Sequence, residues 1–339
     1  MKLIFDFSKE YKNLPIAETL SCLKTEKINY KIIELNQELL TISANINNNK
    51  ITQIAKRLSL TYNIGELLFT SSKSTQELKN KALKVKINNH GSIAIKYRNR
   101  AKDIDSQKII KTLAEIFTLN RKVNLNNPEI EIRCLITNKQ IYISRNIKKI
   151  DRAQYEKRKA QFRPFFSPIS LHPKLSRVMV NLSMARKNDV LLDPFCGTGG
   201  ILIEAGILGI KTIGNDIDKK LVEGCKQNLK HYNISHFTIY NLDIGEINNK
   251  ISKIDIVVTD FPYGKSTTTR GEELESLYQR AFNNINYVLK KEGIAVIGLA
   301  DKDMIKIGEK FFSLENVFDI RVHNSLTRYF AIYKKEHNR

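Results

Sequence analysis

From Asp189 onward, strand-like apolar segments alternate with helix-like segments, and this alternation restricts the fold more than any other feature. It is typical of a mostly parallel, doubly wound α/β sheet with helices on both faces. An antiparallel terminal pair is expected after the last helix. The predicted strands are Val190–Asp193, Lys211–Asp216, Phe237–Asn241, Ile254–Asp260, Gly293–Leu299, Val317–Val322 and Arg328–Tyr333, and the predicted helices are Gly199–Gly209, Asp218–Tyr232 and Glu272–Leu289.

The first of these strands runs into a glycine-rich turn, Asp193-Pro-Phe-Cys-Gly-Thr-Gly-Gly200, that opens a helix. Such a turn lets a ligand approach the backbone at the carboxyl end of the strand. An NAD-binding turn would have a third glycine where Leu202 stands, and a P-loop would need a lysine that is missing. S-adenosylmethionine (AdoMet) fits better, because Asp193 can meet its ammonium group while Gly197 and Gly199 keep the turn open. An ordinary tight strand–helix turn is the alternative.

Two further carboxylates follow the next two strands. Asp216 lies about 20 residues after the turn, where doubly wound folds place an acceptor for ribose hydroxyls. Asp243 follows the next strand, where it could accept from an adenine amino group. Each alone could be a helix cap, but their order and spacing together favour a nucleoside-containing cofactor.

The segment Val257-Val-Thr-Asp-Phe-Pro-Tyr-Gly264 resembles the D-P-P-Y motif of amino-group methyltransferases. An exocyclic amine on a purine is a poor nucleophile, because its lone pair is delocalised into the ring. Asp260 and the Phe261 carbonyl would accept its two N–H bonds and localise the lone pair. Tyr263 offers a face on which a flipped base can stack. A proline-containing turn after a buried strand is the alternative, and Phe261 departs from the usual proline.

These arguments define the candidate site. The candidate catalytic residues are Asp260, Phe261, Pro262 and Tyr263. The candidate cofactor-binding residues are Asp193, Phe195, Cys196, Gly197, Thr198, Gly199, Asn215, Asp216, Ile217, Leu242, Asp243, Ile244 and His172. Of these, His172 either borders the cofactor or caps a helix, and Cys196 is expected to fill space. The remaining histidines lack metal-ligand spacing, so no metal site is expected.

The N-terminal half carries most of the excess positive charge. The whole chain has 56 Lys+Arg against 35 Asp+Glu, a net charge of +21. Residues 1–150 contribute 27 basic and 13 acidic residues, and 27 − 13 gives +14. Such charge indicates a polyanionic partner, although a genome-wide lysine and asparagine bias would produce it too. Residues 147–170 contain two prolines and a run of basic residues, which predicts a linker that is either solvated or tracks phosphates.

Several stretches together resemble the tRNA guanine-N2 methyltransferases that carry a THUMP domain, especially the archaeal enzymes acting on guanosine 10. The stretches are Asp151-Arg-Ala-Gln-Tyr-Glu-Lys-Arg, Arg163-Pro-Phe-Phe, Leu171-His-Pro-Lys-Leu, Val180-Asn-Leu, the glycine-rich turn, Ser92-Ile-Ala-Ile-Lys-Tyr-Arg and Val123-Asn-Leu…Pro128-Glu-Ile-Glu-Ile-Arg. This resemblance covers nearly the whole chain. It implies AdoMet-dependent methylation of a tRNA guanosine on N2, with residues 1–150 holding the acceptor end.

The resemblance also implies a domain order. We expect an α+β ferredoxin-like unit at 1–50, an α+β THUMP domain at 51–146, the basic linker at 147–170, and a Rossmann-like class I AdoMet-dependent methyltransferase domain at 171–339. Three alternatives remain open: methylation of another tRNA guanosine such as position 6, a non-catalytic tRNA-binding protein, and methylation of a DNA adenine.

Compartment and assembly are predicted from simpler features. Four scattered cysteines without a CxxC pair, no apolar run of 18 residues and no secretory signal favour the cytoplasm and no membrane association. We expect a monomer. The sequence leaves open whether one or two methyl groups are added and whether a small activating subunit is needed.

Overall fold

The computed structural model describes residues 1–87, 90–102, 104–168, 170–263, 272–323 and 326–336. Gly264 of the D-F-P-Y-G segment and His337 lie outside the described residues. The chain divides into two compact units. The first comprises Met1–Ile16, Glu26–Lys56 and Leu60–Asp151, and the second comprises Ala17–Thr25, Arg57–Ser59 and Arg152–Arg339. No helix of the described residues is long and apolar enough to cross a membrane.

The N-terminal part of the chain contributes one seven-stranded sheet. Its strands, in the order β2-β3-β1-β4-β7-β6-β5, are antiparallel to their neighbours except for the parallel pair β5–β6. The strands are β1 (Lys2–Phe7), β2 (Tyr30–Leu35), β3 (Leu39–Ala44), β4 (Thr61–Ser71), β5 (Ile93–Asn99), β6 (Ile130–Ile136) and β7 (Ile141–Lys149). The helices are α1 (Leu14–Thr25), α2 (Asn48–Arg57), α3 (Thr75–Ala82) and α4 (Ser106–Phe117).

The boundary expected at residue 50 is wrong, because the sheet continues through it. Strand β1 pairs with β3 on one side and with β4 on the other. The succession β1-α1-β2-β3-α2-β4 is the ferredoxin-like order, so that arrangement extends to Ser71. The polar residues Asn45–Lys50 lead into helix α2, where the Asn47 side chain accepts from the backbone N–H of Lys50 at 3.0 Å.

The remaining elements of this unit form their own core. Helices α3 and α4 bury Leu78, Ile109, Leu113 and Phe117 against strands β5 to β7. Helix α4 begins after Asp105, whose side chain accepts from the backbone N–H groups of Gln107 and Lys108. Assignment of the segment to a THUMP domain stays a prediction.

The second unit contains the predicted doubly wound sheet. Its strand order is β10-β9-β8-β11-β12-β14-β13. The first five strands are parallel to one another, and β14 is antiparallel to both of its neighbours, β12 and β13. The strands are β8 (Val190–Asp193), β9 (Lys211–Asn215), β10 (Phe237–Tyr240), β11 (Ile254–Asp260), β12 (Leu289–Leu299), β13 (Ser313–His323) and β14 (Leu326–Lys334). The helices are α5 (Ala153–Lys157), α6 (Pro173–Leu182), α7 (Gly200–Ile207), α8 (Lys219–His231), α9 (Leu274–Val288) and α10 (Ile305–Glu309), with 3-10 turns at Ala160–Phe162 and Ile244–Asn249.

This arrangement confirms the predicted α/β class and explains where a site forms. The strand order reverses between β8 and β11, and ligands of such sheets bind beside the carboxyl ends of the strands at that point. Strands β8 and β11 match their predicted bounds, Val190–Asp193 and Ile254–Asp260.

The expected linker at 147–170 is largely a structured part of the protein, which corrects the prediction. Strand β7 extends to Lys149, and the side chains of Arg158 and Arg163 are buried. The Glu204 carboxylate binds the Arg158 Nε at 2.7 Å and the Arg177 Nη2 at 2.9 Å. The charge run misled the sequence analysis because the acidic partner lies on α7, far along the chain.

We expect Glu204→Gln to destabilise the second unit. The substitution leaves the Arg158 and Arg177 guanidinium groups buried without their counterion, which costs about 3–5 kcal/mol. Hydrogen exchange of α7 peptides, followed by mass spectrometry, measures this free energy of opening. The control Glu223→Gln removes an exposed pair with Lys226 and should cost less than about 1 kcal/mol. Equal effects of the two variants would contradict the buried cluster.

Candidate active site

A cavity of about 370 Å³ lies at the carboxyl ends of β8, β9 and β11. It is lined by every candidate residue from the glycine-rich turn, the two following strand ends and the D-F-P-Y turn, with the exception of Gly199. His172 is also absent from its walls. The structure thus brings together residues that are up to 70 positions apart in sequence (Asp193 to Tyr263).

The glycine-rich turn owes its shape to two left-handed residues. Gly197 has φ 50° and Gly199 has φ 85°, a region that side chains rarely adopt. A Cβ on Gly199 would lie 2.7 Å from the Cys225 Sγ, so this glycine shapes the turn without contributing to the wall. Cys196 is buried, and hydrogen bonding with Cys225 together with burial raises the pKa of its thiol. A neutral, packed thiol agrees with the expectation that Cys196 fills space.

Asp193, at the end of β8, is an unusual buried acid. Only 2% of the residue is exposed. Burial raises the pKa of its carboxyl to about 7, and the charges of Asp216 and Asp260 add to the shift, while the Thr259 hydroxyl and the Phe195 N–H oppose it. A cation in the cavity would stabilise the ionised form. This chemistry fits the ammonium group of AdoMet.

Asp216 and Asp243 are held by different partners. Asp216 accepts from the backbone N–H groups of Gly197 and Asp218, each at 2.9 Å. The Asp243 Oδ1 accepts from the Gly245 N–H and from the Arg280 Nη1, each at 2.7 Å. These contacts fix both carboxylates at the cavity, where they were predicted to meet the ribose and the adenine.

Arg280 and Glu272 also line the cavity, although neither was predicted from the sequence. The Arg280 guanidinium binds Glu272 at 2.9 and 2.8 Å as well as Asp243. No local motif marks the arginine, since it lies on α9 and meets Asp243 only in the folded chain. Helical spacing offers one signal: Ser276 and Arg280 follow Glu272 at intervals of four residues, and the Glu272 carboxylate accepts from both side chains.

Asp260 lies at the end of β11, and among the described residues it forms an ion pair with Arg328 of β14. The Arg328 Nη1 is 2.8 Å from the Asp260 Oδ2, and the Asp260 side chain is 17% exposed. Burial raises the pKa of Asp260 to about 6, and the Arg328 guanidinium opposes that shift. On the other side, a Cβ on Gly298 would lie 2.3 Å from the Asp260 Oδ1. The carboxylate is therefore confined between a guanidinium and a bare backbone.

The packing of the Phe261 side chain explains why phenylalanine stands where the D-P-P-Y motif usually has proline. This side chain is fully buried, and its ring centroid lies 5.1 Å from that of Phe195 and 4.9 Å from that of Tyr278. The Phe261 N–H donates to the Gly298 carbonyl at 2.9 Å, and the Tyr278 hydroxyl donates to the Pro262 carbonyl at 2.8 Å. The turn is thus fixed by core packing on one side and by hydrogen bonds on the other.

His172 caps a helix, which was one of the two alternatives for this residue. Its Nδ1 accepts from the Lys174 N–H at 3.1 Å, at the start of α6, and its Nε2 lies 3.2 Å from the Glu156 carboxylate. Burial lowers the pKa of His172, which favours the neutral ring that a cap requires. Within the described residues, no group of three or more His, Cys, Asp or Glu side chains could hold a metal ion.

Comparison with known proteins places this site in a family. A protein-family model described as "RMKL-like, methyltransferase domain" matches residues 160–329. A tRNA (guanine(10)-N2)-dimethyltransferase of Methanothermobacter thermautotrophicus is 33% identical over 340 residues, covering 99% of this chain and 100% of that protein. The chain belongs to the tRNA (guanine(10)-N2)-methyltransferase family. A second member, from Methanocaldococcus jannaschii, is 37% identical over 69% of this chain and 66% of its own length.

Other comparisons concern the fold and a neighbouring family. The crystal structure of TrmN from Thermus thermophilus superposes with a TM-score of 0.64 at 16% identity, covering 99% of this chain and 100% of that one. A model described as "DNA methylase" matches residues 3–227, a range that ends before Asp260. Membership of the guanine(10)-N2 family confirms the predicted methyltransferase and its AdoMet cofactor.

We expect AdoMet binding to weaken as the pH falls through about 7. The ionised Asp193 would pair with the ammonium group, and its raised pKa of about 7 means that this acid gains a proton below neutral pH. Affinity should drop roughly five- to tenfold between pH 7.5 and 6. Isothermal titration calorimetry measures both the affinity and the protons released on binding.

Two variants separate the contributing acids. Asp193→Asn should bind AdoMet more weakly but with little pH dependence, whereas Asp260→Asn should keep most of the slope near pH 7. An unchanged slope in Asp193→Asn would exclude this carboxylate as the titrating group.

Proposed function

We propose that this protein transfers methyl groups from AdoMet to the exocyclic N2 amine of guanosine 10 in tRNA. One observation carries the proposal: the D-F-P-Y turn and the glycine-rich turn line the same cavity. Relatives from archaea, and more distant ones from Saccharomyces cerevisiae and Rattus norvegicus, carry guanine(10)-N2 methyltransferase names. These names favour position 10 over other tRNA guanosines.

Different cavity residues bind different parts of AdoMet. Asp193 pairs with the ammonium group, Asp216 accepts from the ribose hydroxyls, and Asp243 faces the adenine amino group. The open backbone at Gly197, where a Cβ would meet nothing within 4 Å, leaves room for the ligand. Bound AdoMet supplies an activated methyl group on a sulfonium cation.

The D-F-P-Y turn prepares the amine. The Asp260 carboxylate and the Phe261 carbonyl accept the two N–H bonds of N2, which turns the nitrogen lone pair away from the purine ring. The Tyr263 ring supports the flipped base. No covalent bond to the protein is needed, and the neutral, buried Cys196 is not suited to form one.

The N-terminal unit is the proposed tRNA-binding part, gripping the acceptor end. A polar surface cavity of about 540 Å³ is lined by residues that include His90, Arg121 and Lys122. The exposed Lys84 and Lys86 precede it in the chain, and the Arg121 Nη2 donates to the Ile87 carbonyl at 2.7 Å. The excess charge of residues 1–150 supports phosphate binding at this surface. We also propose that the protein is a cytoplasmic monomer. The need for a small activating subunit is tested by adding one to the methylation assay.

Asp260→Asn should reduce the rate of methyl transfer about 100-fold or more, since it removes a charged acceptor of the amine. The assay incubates the full chain with AdoMet and an unmodified tRNA transcript, and mass spectrometry of the digested tRNA locates the methyl groups. The same measurement shows whether one or two methyl groups are added to each guanosine. The control Asp319→Asn changes an exposed acid on β13 and should act like the wild type. Methylation at another nucleotide would disprove the assignment to guanosine 10.

Lys86→Gln combined with Lys122→Gln should weaken tRNA binding and leave AdoMet affinity unchanged. Each lost phosphate contact lowers the slope of log K against log salt by about 0.7 to 0.9. Filter binding between 50 and 300 mM salt measures the slope for intact tRNA and for tRNA shortened at its acceptor end. Lys9→Gln combined with Lys139→Gln removes the same charge elsewhere on the unit. If both pairs have the same effect, the charge acts without a specific surface.

A further inference from the structure

Arg328 reaches the candidate active site from a strand that does not border it. Strand β12 separates β14 from β11, so the two backbones are about 10 Å apart. In the paired register, Asp260 lies opposite Gly298, and Gly298 lies opposite Phe330. Because Gly298 has no side chain, the long Arg328 side chain has a route over β12 to the Asp260 carboxylate.

The guanidinium has two partners that serve the same reaction. Its Nη1 is 2.8 Å from the Asp260 Oδ2, and its central carbon lies 4.7 Å from the centroid of the Tyr263 ring. Arg328 is itself only 6% exposed. Burying a guanidinium is costly unless it is paired, so a structural role alone would be met more cheaply by an apolar residue of similar size.

The other groups facing Asp260 cannot replace this cation. Asp193 on β8 is a second acid whose pKa is raised partly by Asp260. The phenol of Tyr278 on α9 is neutral, and the Asp260 charge contributes to raising its pKa. Arg328 is the charged group that opposes the burial of Asp260.

We propose that Arg328 is a positioning residue for methyl transfer, which holds Asp260 as a carboxylate and braces the Tyr263 ring. One planar group thus sets both the acceptor for the amine and the platform for the base. The proposal rests on the proposed function. Sequence analysis missed Arg328, although an arginine near the start of the apolar strand Leu-Thr-Arg-Tyr-Phe-Ala-Ile-Tyr is an available signal.

The two roles predict different behaviour for two substitutions. Arg328→Met keeps the length and loses the charge. Arg328→Lys keeps the charge but loses the flat guanidinium that stacks on the ring. The matched control is Lys334→Met, which removes a cation from the same strand, where Lys334 pairs with Glu292 at the surface.

The first experiment is single-turnover methylation of the tRNA transcript from pH 5.5 to 9, with AdoMet affinity measured alongside. In Arg328→Met the acid limb should move up by at least about one pH unit, because the pKa of Asp260 rises once the guanidinium is gone. The rate at pH 6.5 should fall at least tenfold, recover partly at high pH, and leave AdoMet affinity within about twofold. Arg328→Lys should return the limb toward its wild-type position while the plateau rate stays reduced.

The second experiment does not depend on methylation. Carbon-13 NMR of aspartate-labelled protein, with the Asp260 signal assigned by its loss in Asp260→Asn, titrates this carboxyl directly. Its pKa should rise in Arg328→Met and not in Lys334→Met. An unchanged titration and an unchanged acid limb, with only lower thermal stability, would overturn the proposal. A wild type that methylates no tRNA would overturn the proposed function instead, and the NMR titration would still test the control of Asp260 by Arg328.

Discussion

Three carboxylates converge at the carboxyl edge of one parallel sheet, and their burial is the constraint around which the methyltransferase unit is arranged. Asp193, Asp216 and Asp260 each follow a different strand, and burial raises the pKa of all three. Backbone N–H groups stabilise the ionised Asp216, and the Arg328 guanidinium stabilises the ionised Asp260. The pKa of Asp193 stays raised, at about 7, and a cationic ligand would lower it by stabilising the ionised carboxylate.

Local patterns predicted the elements that carry this arrangement. Strands β8 and β11 were predicted from short apolar runs that are each followed by a segment containing proline and glycine, which are typical of turns. Their order along the chain then fixes which strand ends meet. The candidate acids at the cavity followed from this reasoning, since each lies at the end of a predicted strand or within two residues of it. Helix α6 was not among the predicted helices, although capping a helix was one of the two alternatives for His172.

Pairing between distant residues could not be read from such patterns. Arg280 and Arg328 reach the cavity from α9 and β14, and no spacing in the sequence joins them to Asp243 or Asp260. The same reason explains the misread segment at 147–170, where Arg158 meets its acidic partner only after folding. Phe261 shows the reverse case. Its departure from the motif introduced doubt in the sequence, and the aromatic cluster around it supplies the physical explanation.

The absence of a side chain at Gly298 limits which substitutions this protein can accept during evolution. The bare Gly298 backbone touches the Asp260 carboxylate and also leaves the path that Arg328 uses, so three strands share one small volume. A methyl group at this position would lie 2.3 Å from the Asp260 Oδ1, and a glutamate in place of Asp260 would need space that β12 does not offer. We therefore expect these three positions to evolve as a unit, with no viable sequence of single steps that alters one and keeps the other two.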